Sequence, residues 1–204
     1  MRWVEVITEN EDSISRAASA GFDTSTVWYH GTKYKFDHFS YDHVGKGNDQ
    51  LGSGFYFTTD RDAAVGYTEG NDPIIHAVFL RFRKEVSRRK PLSRSAIRAL
   101  IAGGDPDALY NFGDVEFDGL EATLRTAIDA YADLPAFDAM ISLSNDFYRG
   151  IEGKFLTIFV KETGCNHVME HFADGSRNCV IFDPRDIKSV DAQFMNLDSD
   201  HLLS

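Results

Sequence analysis

Four short stretches carry residues whose types and order could do chemistry. They are His30-Gly31-Thr32, the run GSGFYF at 52–57, Tyr67, and the run NCVIFD at 178–183. Each alone has an ordinary explanation. A histidine at a strand end is usually a hydrogen-bonded structural residue, tyrosines are usually core, and glycines ahead of a strand usually serve a turn or bulge. Together they describe something more specific. Gly31, Gly52 and Gly54 lack the Cβ that would keep a ligand off the main chain. Tyr56 on a strand and Tyr67, eleven residues later on the next helix, can form two walls of a slot. A flat ring between them gains about 0.5–1.5 kcal/mol per good stack beyond area burial. A His-Gly pair adds a ring donor beside main-chain groups. The set suits a planar heterocycle on a sugar, with His30 on a ribose hydroxyl and the Gly31 backbone on a carboxamide.

Local patterns say which elements must position these residues. Residues 12–20 read as a short helix stopped at Gly21. VWYHGT (27–32) reads as a strand ending in a glycine turn, and 40–53 reads as a Gly/Asp/Asn-rich loop. GFYFT is a second strand, and TDRDAAVGYT a helix begun by Thr59 or Asp60. PIIHAVFLRF (73–82) is the clearest strand, with Ile74, Val78, Leu80 and Phe82 on one face. The middle changes character. Residues 93–102, 118–134 and 151–163 read as helices, and 136–148 is ambiguous. Asp118 with Glu121 resembles a capping box, Leu120, Leu124, Ile128 and Tyr131 form a stripe, and Phe155, Ile158, Phe159 and Glu162 repeat at helical spacing. Short β-like runs follow in HVMEHF, NCVIFD and IKSVDAQF. The pattern predicts a single α+β domain over 1–204, with a mostly antiparallel β-core at about 21–90 and 150–195 and a helical insertion at about 91–150.

Totals narrow the possible partners. The chain has 204 residues and a formal net charge of −11, which argues against broad nucleic-acid binding. The basic run from Lys84 to Arg94 reads as a solvated loop. Cys165 and Cys179 form no disulfide framework and no zinc spacing, so both are expected as buried thiols. No apolar run is long enough for a spanning helix, and the N-terminus turns polar too early for a secretory signal, so a cytoplasmic protein is expected.

The arrangement resembles the His-Tyr-Glu class of ADP-ribosyltransferases, the diphtheria-toxin and poly-ADP-ribose-polymerase type. YHGT at 29–32 looks like that class's His-Gly motif, and GSGFYF like its G-x-G-[IF]-Y-F motif. Tyr67 looks like the second nicotinamide-stacking tyrosine. RNCVIFDPRDIKSV (177–190) looks like the segment that holds the catalytic glutamate, with Asn178 in its place. The FDP..IKS ending and GFDTSTVWYHGT look most like bacterial and phage-encoded members. The resemblance implies a split antiparallel β-sandwich core that uses NAD as co-substrate. It implies nicotinamide between Tyr56 and Tyr67, with His30, Gly31, Thr32, Gly54 and Ala64 around it; Ala64 stands where many members carry a serine. His30, Tyr56 and Asn178 then occupy the catalytic positions. A protein acceptor and mono-ADP-ribosyl transfer follow as expectations.

An amide at 178 has neither charge nor useful basicity. A nearby acid such as Glu170 or Asp174 could stand in, the acceptor could supply a carboxylate, or the domain could bind without catalysis. NAD hydrolysis, with water as acceptor, is a further alternative. HVMEH (167–171) also matches H-x-x-E-H, which on a helix would bind zinc. The turn-like TGCN before it and ADGS after it leave room only for a short strand.

Overall fold

The computed structural model describes residues 13–45, 50–68 and 74–190. Helix α1 (13–19) leads into strand β1 (Asp23–Thr32), which begins before the expected 27–32 because Thr24 and Thr26 extend the β-compatible pattern. A short 3₁₀ turn, Tyr41–His43, precedes β2 (Phe55–Thr58). Helix α2 (Arg61–Val65) starts where the Asp60 carboxylate accepts from the main-chain N–H groups of Asp62 and Ala63. Then come β3 (Ile74–Leu80), five helices, and β4 (His167–His171), β5 (Arg177–Ile181) and β6 (Ile187–Ser189). The expected loop residues 46–49, and the strand residues beyond 190, lie outside the described set.

The six strands run in the order β4-β5-β2-β1-β3-β6, and every neighbouring pair is antiparallel. Pairing between β2 and β5 runs from Phe55↔Ile181 to Thr58↔Asn178, and between β4 and β5 from His167↔Ile181 to His171↔Arg177. Between β1 and β2 only Tyr29↔Thr58 is in register. The sheet therefore consists of two three-stranded halves joined at one pair. This is the α+β fold with a split antiparallel core that the sequence led us to expect.

The helices fill the connection between β3 and β4. They are α3 (Arg94–Gly103), α4 (Val115–Asp118), α5 (Leu120–Ala132), α6 (Ala136–Phe147) and α7 (Glu152–Thr163). The expected single helix over 118–134 is two, because Gly119 sits at φ +82° and breaks the turn. Asp118 is thus no N-cap: it ends α4, and its carboxylate accepts from the Asp114 N–H. Leu120, the first residue after the break, is more than half exposed, while Leu124, Ile128 and Tyr131 are buried. In α7 the buried face is Phe155, Leu156 and Phe159; Glu162 is exposed. Burying each such side chain contributes about 1.5–3 kcal/mol. One continuous apolar cluster joins these helices to Trp28, Phe57, Leu80 and Val180 of the sheet, so the helical segment shares the core of the strands.

Ordered charges pin the far end. The buried Asp186 carboxylate accepts from Arg81 Nε at 2.8 Å, an Arg83 guanidinium nitrogen at 2.6 Å and Asn166 Nδ2 at 2.7 Å. These bonds tie the exit of β3, the entry of β4 and the turn before β6. Cys165 and Cys179 are buried and form no disulfide.

Candidate active site

A cavity of about 350 Å³ lies where β1 and β2 part. Carrying the register of Tyr29↔Thr58 two residues on would bring Gly31 opposite Tyr56, but the ladder stops before that pair. The opening is filled from one side by His30. Its Nδ1 donates to the Tyr56 carbonyl at 2.8 Å, taking an acceptor that a continuous ladder would have paired. A carbonyl can only accept, so the Nδ1 carries the proton. The ring sits among Phe36, Phe39, Phe57 and His76. Burial lowers its pKa, against the raising effect of the Tyr56 bond, and the charge of nearby His76 lowers it further. A neutral ring protonated at Nδ1 leaves Nε2 as an acceptor, able to take a hydrogen bond from a hydroxyl.

Tyr56 and Tyr67 both line this cavity, with different freedom. The Tyr56 hydroxyl donates to the Gly52 carbonyl at 2.7 Å and accepts from the Leu51 N–H at 3.0 Å, so its ring is fixed to the preceding loop. Tyr67 stands two residues past the end of α2, in the turn that follows rather than on the helix the sequence predicts, and is 68% exposed. Its root is set by Gly31. A Cβ on Gly31 would fall 1.8 Å from the Ala64 carbonyl oxygen and 3.4 Å from the Tyr67 Cβ. Only glycine lets α2 come down on β1 and carry Tyr67 to the rim.

The space above the glycines is therefore used differently from the sequence expectation of ligand against bare main chain. At Gly31 it is taken by α2; at Gly54 it is taken by Val180, whose Cγ1 lies 2.4 Å from where a Cβ would stand. At Gly52 it is taken by Met140 of α6. Gly54 and Thr32 do not line the cavity, and the Thr32 hydroxyl is engaged with the main chain of Tyr34. His30, Gly31, Tyr56, Ala64, Tyr67 and Asn178 all do.

The floor joins Asn178 and Glu170 to Thr58 and Tyr29, two residues the sequence does not single out. Glu170, Asn178, Thr58 and Tyr29 are direct cross-strand neighbours on β4, β5, β2 and β1. Opposed residues share a face, so these four form one row across the sheet, and all four line the cavity. Asp174 is elsewhere. It makes the β4–β5 turn, where its carboxylate accepts from the Ser176 N–H and hydroxyl. The strand spreads the zinc pattern apart: Glu170 faces away from His167 and His171, and those two histidines, four residues apart, are separated by about 13 Å. His167 is buried against Phe82 and Asn166, away from Glu170. No helix among the described residues is long and apolar enough to cross a membrane.

The split antiparallel sheet, with a His-Gly strand and two tyrosines at its opening, is the arrangement that the resemblance to ADP-ribosyltransferases implies. Residues 24–196 match the family described as ADP-ribosyltransferase in polyvalent proteins, and the chain belongs to that family. No curated protein and no solved structure matches it.

Proposed function

We propose that the domain is a mono-ADP-ribosyltransferase of the His-Tyr-Glu class that takes NAD as co-substrate and modifies a macromolecular, protein acceptor. The observation that carries this reading is the opening between β1 and β2, with His30, Gly31, Tyr56 and Tyr67 around one cavity. The cavity fits the nicotinamide-riboside end of NAD in its chemistry. Tyr56 offers a fixed ring face and Tyr67 an adjustable one. Ala64 presents a methyl where a hydroxyl could have held the carboxamide, so that task falls to the main chain of Gly31. His30 accepts from a ribose hydroxyl through Nε2 and orients the sugar. When bound, NAD supplies an activated bond between nicotinamide and ribose. The chain contributes alignment and a cavity from which bulk water is partly excluded. The acidic surface favours a protein acceptor over a phosphate backbone.

A second reading, a binding module without catalysis, is favoured by Asn178 alone. Isothermal titration of NAD against the wild type and Tyr56→Ala, with mass spectrometry for nicotinamide in cell lysate, separates the two. Binding that the substitution abolishes, together with nicotinamide release, supports the transferase. Binding without release supports the module. Absence of binding removes the transferase and leaves only a module that binds a partner other than NAD.

A further inference from the structure

We infer that Glu170 is the catalytic carboxylate of this site, displaced by one strand from the position that Asn178 holds. The inference rests on the transferase reading above. Glu170 and Asn178 are directly opposed across the antiparallel β4–β5 ladder. Opposed residues carry their Cβ atoms about 4.5–5.5 Å apart on one face. The glutamate side chain covers most of such a gap, which brings its carboxylate towards the region a glutamate at 178 would serve. Glu170 lines the same cavity as His30, Tyr56 and Tyr67, at the end of the row Glu170–Asn178–Thr58–Tyr29. Lys and Arg side chains are absent from the lining, so no cation of the described residues there neutralises it.

Its place follows from the hairpin. Asp174 closes the β4–β5 turn through Ser176, and the Phe172 N–H donates to the Ser176 carbonyl. That closure sets the register; a slip of one residue would turn Glu170 to the opposite face. Two acids near the site thus have separate tasks. Asp174 sets the alignment and Glu170 presents the charge.

The step balances as follows. The bond between nicotinamide nitrogen and ribose C1′ breaks, and its electron pair leaves with the nitrogen as neutral nicotinamide. Glu170 offsets the positive charge that develops on the ribose. The acceptor's oxygen or nitrogen forms a bond to C1′ and passes its proton to the Glu170 carboxylate. Asn178 stays neutral and donates its amide hydrogens.

The test uses the full chain as wild type, Glu170→Gln, and the exchange Glu170→Gln with Asn178→Glu. NAD binding is followed by titration and nicotinamide release by mass spectrometry, with cell lysate as acceptor source. The expected result is NAD binding by Glu170→Gln within about 3-fold of wild type, with release slowed about 10²–10⁴-fold. The exchange variant, which returns a carboxylate to the opposed position, recovers release. A structural role for Glu170 would not produce that recovery. Glu170→Gln as active as wild type overturns the inference and leaves the transferase reading standing. NAD binding without release by wild type overturns it as well. Failure of wild type to bind NAD overturns the underlying site and the inference with it.

Discussion

His30 donates its Nδ1 proton to the main-chain carbonyl of Tyr56 at 2.8 Å, across the gap where β1 and β2 separate. A side chain here replaces a ladder bond, and the sheet stays open beside it. The same burial that holds His30 neutral acts on two other histidines. Desolvation lowers the pKa of His76 and His167 as well.

Stability should therefore fall on mild acidification. These rings bind protons more readily in the unfolded chain than in the folded one. Their contribution is complete above the ordinary histidine value of about 6.5 and is lost as pH drops through the lowered folded values. Thermal melts at pH 7.5 and pH 5 should show the lower Tm at pH 5. His76→Phe should flatten that dependence. The ring stacks on Phe36 at 4.3 Å, and its buried Nε2 has no hydrogen-bond partner among the described residues, so phenylalanine keeps the stack and removes the titrating group.

The two tyrosines should separate stability from binding. Tyr67 is 68% exposed, so Tyr67→Ala should change stability by less than about 0.5 kcal/mol. It should still weaken NAD binding roughly 2- to 12-fold, the loss of one stacking wall. Tyr56→Phe keeps its wall but removes the bonds to Gly52 and Leu51. That variant should lose about 1–2 kcal/mol of stability with a smaller effect on binding. Chemical denaturation and titration of each variant check both halves.

Gly31→Ala should damage the site through α2. The new methyl would meet the Ala64 carbonyl oxygen, a main-chain atom that cannot swing aside. Overpacking of this kind costs about 1–3 kcal/mol. Displacement of Tyr67 should weaken NAD binding beyond what Tyr67→Ala does, because Ala64 moves too. Equal affinity for Gly31→Ala and wild type would contradict this packing argument.

Asp186→Ala should destabilise the fold and spare the site. It leaves the fully buried Asn166 amide and two arginines without their shared carboxylate. The arginines are partly exposed, so the loss should sit near the lower end for a broken buried pair, about 3 kcal/mol. That corresponds to a fall in Tm of about 6–12 °C for a chain of this size. None of these residues lines the cavity, so NAD affinity should be unchanged.

Local chemistry made much of this molecule readable in one dimension. The period-two pattern of β3, the Asp60 cap and the apolar faces of α5 and α7 depend on neighbours within a few residues. His30, Gly31, Tyr56 and Tyr67 could be picked out because their order and spacing survive in the linear chain. What the glycines accommodate could not be read there. The bodies that fill their space, α2, Val180 and Met140, come from other elements. Nor could the sequence choose between Glu170 and Asp174, two carboxylates four residues apart. That choice belongs to the pairing of β4 with β5. Register is a relation between two strands, and it places one acid opposite Asn178 in the cavity and the other in the turn.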